Sequence, residues 1–413
     1  MLSFARRSIV PLLFSVFASA AACSSSPSSD GASSPTATSD GTEPQVPGGA
    51  DETPAPSRDV PQTPPPADEG HAPLFVGRFD TSDPAGPKAS WPGARILARF
   101  DGTAVSVKLS EFAEPWMEGA PSYWEVSIDK GDWHPIEMIP DNEPHVFPLA
   151  AGLPPGEHLV ELYKRSETQT GITQFLGFDF HDGRSLPPPE RQKRRIEVMG
   201  DSSATGFGIE MLNAPNHNCP GADHGGRWQN FRKAWGGQLG TIFDAEVHAV
   251  TYSGKGVIKN IWPTDNDPLV AYYPRANPNP AIANSAPLFD LKSWLPDVIV
   301  LMQGAIDFST GVDYGAFEAA YRDFVINQLR ARSPDAHIFM GVLGKSGREA
   351  VPEIAQRIID ERAALGDTRL HVFVPPLYTW EDMVACNGHG TPDYHLRIAH
   401  QMAEHIRPIV GWE

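Results

Sequence analysis

Four short segments of this 413-residue chain carry groups that could do chemistry together. The first is GDSS at 200–203, where Gly200 allows a sharp turn. Ser202 can then stand at the start of the next segment, a candidate nucleophile with its own N–H directed into a cleft. Alone, a Gly-Asp-Ser is usually no more than a turn. The second segment, TYSGKGVIKN at 251–260, runs an apolar stretch into Gly254 and Gly256, where a backbone N–H can approach a ligand with no side chain in the way. The third is LMQGAIDFS at 301–309. The fourth, CNGHGTPDYHLRIAHQMA at 386–403, sets His389 ahead of a helical pattern carrying Leu396, Ile398, Ala399 and Met402.

All four lie in the part of the chain whose rhythm is strand alternating with helix. RIEVMGDS, AEVHAVTYSG, DVIVLMQG, HIFMGVLG and LHVFVPP are short apolar, β-branched runs ending in small or polar residues. Between them, Trp228, Phe231, Trp235, Leu239 and Ile242 share one helical face, and Phe317, Tyr321, Phe324 and Leu329 share another. That alternation predicts a parallel sheet covered on both faces, with reactive groups at the carboxyl ends of its strands. The residues before it read differently. From about 72 to 183 the apolar residues fall at every second position, as in Ile96, Ala98 and Phe100, then Val105, Val107 and Leu109, then Trp124, Val126 and Ile128. Turn signals separate these runs, so this part is expected to be an all-β sandwich of jelly-roll type. SLPPPE at 185–190 punctuates the chain between the two. The expected domains are therefore a sandwich over 71–184, a linker over 185–195 and an α/β domain over 196–413.

Serine, glycine, asparagine-type and histidine blocks in this order resemble the SGNH (GDSL-type) hydrolases, with a flavodoxin-like three-layer fold. The sandwich, with WPGARILARFDGT at 91–103 and YKRSE at 163–167 leading into IEVMGDS, resembles carbohydrate esterase family 2 more narrowly, over about residues 74–410. The resemblance implies a serine esterase that removes O-acetyl groups from polysaccharides such as acetylated xylan or mannan. Ser202 would be the nucleophile and His389 its base, with the N–H groups of Ser202 and Gly254 binding the oxyanion. The spacing in HGTPDYHLRIA favours His389 over His395, which is left a structural role. A serine hydroxyl needs such a base, and a neutral imidazole near pH 7 both takes its proton and later protonates the leaving sugar alkoxide. No cofactor or metal is required; HNCPGADH at 217–224 assembles no convincing ligand set.

Two positions depart from the family pattern. Its third block should supply an asparagine amide to the oxyanion, and here the block reads Gly304-Ala305-Ile306-Asp307; Gln303 is the neighbouring amide that could substitute. The acid that orients the histidine should stand two residues before it, where this chain has Asn387. Either a backbone carbonyl orients His389, as in family members that work as a Ser-His dyad, or Asn387 offers its side-chain oxygen. The alternative function is a catalytically weakened relative that acts as a surface glycan-binding protein.

The remaining features concern where the protein resides. Met1–Ala22 reads as a signal peptide, with Arg6 and Arg7 ahead of an apolar run and small residues at its end. Cys23 after the alanines fits a bacterial lipobox, which predicts lipid on Cys23 and anchoring in the outer membrane or at the cell surface; a plain secretory signal would leave the protein periplasmic or secreted. Residues 23–70, rich in Ser, Pro, Thr, Gly and Asp, read as a disordered tether. A net charge of −18 argues against nucleic acid as a partner, and lipid on Cys23 is the one expected contact with a membrane. The partner is expected to be an acetylated polysaccharide or oligosaccharide, and the protein a monomer. With Cys23 acylated, Cys219 and Cys386 remain as an even pair in an oxidising compartment, and a bond between them would brace both catalytic segments.

Overall fold

The structure, a computed structural model, describes residues 70–113, 120–214, 218–220, 225–278 and 287–413. The expected signal peptide, Cys23 and the tether apart from Gly70 lie outside the described residues, as do His217 and His224. No helix among the described residues is long and apolar enough to cross a membrane.

Period-two segments form ten strands: β1 (Leu74–Val76), β2 (Lys88–Ala89), β3 (Arg95–Asp101), β4 (Ala104–Ala113), β5 (Tyr123–Ile128), β6 (His134–Glu137), β7 (Pro144–Ala151), β8 (Glu157–Lys164), β9 (Gly171–Asp179) and β10 (Arg184–Leu186). They make two antiparallel sheets, one ordered β1-β3-β8-β5-β6 with β10 also on β3, the other β2-β9-β4-β7. Alternation sends Ile96, Ala98, Phe100, Val126, Val160 and Leu162 of one sheet against Val105, Val107, Leu109 and Phe175 of the other. Burying each large side chain of this set contributes roughly 1.5–3 kcal/mol, which holds the sheets face to face. Arg184 pairs with Asp101 and Leu186 with Arg99, so the first residues of the expected linker belong to the sandwich.

The second domain is built on β11 (Arg194–Gly200), β12 (Ala245–Thr251), β13 (Val298–Met302), β14 (His337–Gly341) and β15 (Leu370–Val372), all parallel, in the order β12-β11-β13-β14-β15. Its helices are α1 (Ser202–Thr205), α2 (Trp235–Phe243), α3 (Leu269–Tyr272), α4 (Ala305–Ser309), α5 (Tyr314–Asp323), which continues as a π-helical stretch Phe324–Arg330, α6 (Ala350–Ala364) and α7 (Pro392–Val410). On one face of the sheet Trp235, Leu239 and Phe243 pack with Ile398, Met402 and Ile406; on the other, Phe317, Tyr321 and Leu329 pack with Ile354 and Ile358. The helical face expected from Trp228 onwards is interrupted. Trp228 and Phe231 sit in separate 3₁₀ turns, because Asn230 is extended and caps the second turn through Arg232 N–H. The linker expectation also ends early: β11 already includes Arg194 and Arg195, and the segment RQKRR at 191–195 is seated by Arg191 on Glu246 and Gln192 on Arg95.

Since β12 and β13 flank β11 on opposite sides, the chain leaves β11 at the point where strand order reverses. That point, at the carboxyl ends of the strands, is where open α/β sheets of this order place their ligand clefts. The sandwich is joined to this sheet by buried charge. Arg78, which follows β1, donates to Glu197 of β11 at 3.0 Å, and Arg332 reaches the second oxygen of Glu197 at 2.6 Å. Burial alone would raise the Glu197 carboxyl; the Arg332 and Arg78 guanidiniums overcome it and hold it at about 2. Glu125 of β5 likewise accepts from Arg165, Asn230 and Arg232.

At the far side of the sheet His337 Nδ1 lies 3.0 Å from His371 Nε2, and His371 packs on Phe339. Burial, then the neighbouring His337 and His405, lower His371 to about 4. An imidazole held neutral in the fold but titrating near 6.5 when unfolded contributes stability above about pH 6.5 and loses it as pH falls towards 4. His371→Gln removes that loss. Thermal melts should therefore show the variant gaining on wild type by about 3 °C or more between pH 7.5 and 4.5, whatever its offset at pH 7.5; an unchanged difference would refute the assignment.

Candidate active site

Ser202 is the first residue of α1, directly after β11. The turn is set by Asp201, which is buried and caps the helix by accepting Ser203 N–H at 2.9 Å. Burial raises its carboxyl to about 6. Gly200 is required for space: a Cβ there would come within 2.4 Å of Ala204 Cβ, where the helix folds back over the strand end. Thr205 Oγ1 and the Gly206 N–H both donate to the Ser202 carbonyl, closing the single turn. The Ser202 N–H itself has no acceptor among the described residues.

His389 comes to this edge on a tight reversal. Asn387 and Gly388 are consecutive left-handed residues, at φ +57° and +69°, the pairing that short reversals favour in an Asn-Gly dipeptide. Residues 384–386 pair with 211–213 through Cys386 N–H to the Met211 carbonyl and Asn213 N–H to the Val384 carbonyl. Phe207, five residues after Ser202, lays its ring 4.9 Å from that of His389. Cys386 and Cys219 form a disulfide, with Cα atoms 4.9 Å apart. His389 Nδ1 stands 3.3 Å from the Cys386 carbonyl; since a carbonyl only accepts, the ring proton is on Nδ1 and the Nε2 lone pair is left for a base role. Burial lowers the His389 pKa, and the carbonyls of Cys386 and Asn387 act in the other direction. No hydrogen bond joins Ser202 Oγ to His389 among the described residues.

Of the two alternatives for orienting this histidine, the geometry takes the backbone carbonyl. The Asn387 side chain is exposed and its Oδ1 accepts the Cys219 N–H at 3.3 Å, so it is not the orienting group. Its residue type answers to the left-handed backbone at 387, a turn signal legible in the sequence as Asn-Gly. His395 has a packing role: buried at the start of α7, its Nδ1 accepts the Trp235 N–H, and burial lowers it to about 3.

The glycine segment is held from both sides. Gly254 has φ +73°, and a Cβ there would meet the Trp262 ring at 2.4 Å. Its carbonyl accepts the Ile261 N–H, and its own N–H has no acceptor among the described residues. From within the domain, buried Asp307 accepts the N–H groups of Val257, Ile258 and Lys259 at 2.8–3.1 Å. From the sandwich, Glu167 accepts Ser253 N–H at 2.7 Å on one oxygen and Ser253 Oγ–H at 2.6 Å on the other. Neither carboxylate was singled out from sequence; the acidic end of YKRSE was the available signal.

The third block carries Ile306 where the family pattern has an asparagine amide. Ile306, half-buried in the first turn of α4, packs into none of the three apolar clusters. Gln303 is fully buried, and neither Nε2 nor Oε1 has a hydrogen-bond partner among the described residues. The Gln303 N–H continues the strand by donating to the Gly341 carbonyl, so the side-chain amide stands at the strand's end with its expected oxyanion role neither satisfied nor replaced by another partner.

Comparison with known proteins gives the same outline. Residues 75–189 match the carbohydrate esterase 2 N-terminal family. The chain is 27% identical over 343 residues to the cellulase/esterase CelE of Acetivibrio thermocellus, covering 82% of this chain and only 40% of that protein. It is also 27% identical over 337 residues to an acetylxylan esterase / glucomannan deacetylase of Cellvibrio japonicus, covering 78% of this chain and 86% of that one. A family two carbohydrate esterase from Clostridium thermocellum, solved with cellohexaose, superposes with a TM-score of 0.73 at 26% identity, over 83% of this chain and 100% of that one. A family two carbohydrate esterase from Cellvibrio japonicus has the same fold, with a TM-score of 0.70 at 23% identity over 82% of this chain and 96% of that one. The resemblance to family two carbohydrate esterases thus extends over both domains.

Asn387→Gly keeps the left-handed turn and removes the side chain. It should leave kcat and the acid limb of the pH–rate profile on an aryl acetate within about two-fold and 0.3 pH unit of wild type. A loss of ten-fold or more would return the orienting role to Asn387.

Proposed function

We propose that this chain is a serine esterase that removes O-acetyl groups from a polysaccharide of the xylan or mannan type. One observation carries the reading. At the strand edge where the sheet order reverses, the N–H groups of Ser202 and Gly254 have no acceptors among the described residues, and the neighbouring His389 has its Nδ1 proton hydrogen-bonded to the Cys386 carbonyl. Ser202 Oγ attacks the acetyl carbonyl carbon while its proton passes to His389 Nε2. The resulting oxyanion is bound by the two backbone N–H groups. Collapse breaks the bond to the sugar oxygen, which takes the proton from His389, and leaves acetyl on Ser202. Water, deprotonated by the same imidazole, then attacks the acetyl-enzyme and releases acetate. The acetylated-glycan relatives support this substrate class, and the strand order of the two sheets supports reading the sandwich as a jelly roll.

Ile306 favours a second reading, a glycan-binding protein with weakened turnover. With Asn absent there and the Gln303 amide buried, the two backbone N–H groups are the donors that stand open among the described residues, and a lost donor costs roughly 10²–10³ in turnover. Display at the cell surface through lipid on Cys23, as a monomer, completes the proposal.

Purified protein should release acetate from acetylated xylan or glucomannan, and Ser202→Ala should reduce the rate by at least about 10³-fold. Near-wild-type turnover in Ser202→Ala would remove the serine-esterase reading. Retention on glycan without acetate release would favour the binding reading. Ile306→Asn is expected to raise kcat about ten-fold or more with KM little changed, since the charge it meets exists only in the tetrahedral state. For localisation, Cys23→Ser should move the protein from the detergent phase to the aqueous phase; a wild type already aqueous would refute the anchor.

A further inference from the structure

The β-sandwich reaches the glycine segment of the site through a carboxylate with no exposed surface. Glu167, just after β8, spends both oxygens on Ser253, the residue before Gly254. Oε1 also accepts from Gln169 at 2.7 Å and from Gln229 at 3.0 Å, and the Glu167 N–H donates back to Gln229 Oε1. The carboxylate therefore has a fixed orientation before it meets Ser253. Behind it lies Lys164, also fully buried, whose Nζ donates to the Glu167 and Ser166 carbonyls and to Ser122 Oγ. Ser253 Oγ in turn lies 3.5 Å from Thr205 Oγ1, which closes the turn of α1 by donating to the Ser202 carbonyl.

We propose that Glu167 is a positioning residue for the oxyanion-binding N–H of Gly254, so that the sandwich domain is part of the catalytic apparatus. Fixing the Ser253 N–H and Oγ together sets the plane of the next peptide, whose N–H is that of Gly254. Asp307 restrains the same loop from Val257 onwards, after the donor; ahead of it the Tyr252 N–H holds the strand end on the Gly200 carbonyl, and Glu167 is the side chain that fixes Ser253, the residue next to the donor. A donor that must meet the tetrahedral oxygen at 2.7–3.1 Å loses its effect when its peptide can rotate. The proposal rests on the reading of Gly254 as an oxyanion donor.

The test uses the full chain with three readouts: kcat per active site titrated, KM on an aryl acetate, and the rate at which an aryl dialkyl phosphate labels Ser202. In that labelling a Ser202 Oγ–P bond forms and aryloxide leaves. Glu167→Gln should lower kcat and the labelling rate about ten-fold or more while KM stays within about two-fold. Ser253→Ala, which leaves the sandwich untouched, should lower both less, and the double variant should match Glu167→Gln because the two residues act as one unit. A lesion of structure alone would instead reduce the titrated fraction and leave kcat per site unchanged, which overturns the proposal. If Glu167→Gln fails to fold, Ser253→Ala decides alone, and unchanged kcat and labelling overturn it. A parent that neither hydrolyses acetate esters nor is labelled would remove the esterase reading and this proposal together. A reactive parent with unaffected variants removes the proposal alone.

Discussion

The clamp of Glu167 on Ser253 is the constraint around which the two domains and the cleft are arranged. A carboxylate without solvent is costly, and here the cost is offset by four donors and by the buried ammonium of Lys164. Burial still dominates, raising Glu167 to about 7 and lowering Lys164 to about 8. Such a group is tolerated only where every partner is in place, so the register of sandwich against sheet is specified by it. The Arg78–Glu197–Arg332 cluster specifies the same register from the side of β1. Charge at this seam thus does less for net stability than for uniqueness of the docking.

The histidine side of the cleft obeys a different logic. Its geometry comes from backbone: a left-handed Asn-Gly reversal, strand-like pairing of 384–386 with 211–213, and the disulfide from Cys219 to Cys386. Closing a loop between residues 167 apart removes roughly 5 kcal/mol of chain entropy from the unfolded state in the simplest treatment. The same bond fixes the residue whose carbonyl takes the His389 proton. Among the described residues a carbonyl, not a carboxylate, holds the imidazole, and burial lowers its pKa and so favours the neutral ring that can accept a proton.

The buried acids near the cleft, Asp201 and Asp307, are structural. One caps the turn that presents Ser202; the other gathers three N–H groups of the segment after Gly254. Both are raised by burial, with backbone N–H groups working against it. Each takes up donors that would otherwise be unsatisfied, and neither accepts the Ser202 N–H among the described residues.

Much of this was legible in the order of residues. Periods of two and 3.6, with turn residues between, marked a β part followed by an α/β part, because alternation and helical spacing follow from which face meets the core. The candidate roles of Ser202, Gly254 and His389 came from the resemblance that the order of their blocks carries, since a turn, a bare backbone and a base can serve the same chemistry in other chain orders. Tertiary structure alone decided which groups hold them. Asn387 turned to Cys219, Gln303 went into the interior, and Glu167 and Asp307 came to the glycine segment from 86 and 48 or more residues away in sequence. Those outcomes depend on long-range packing and on where buried polar groups find partners, and neither has a local period or composition that a sequence displays.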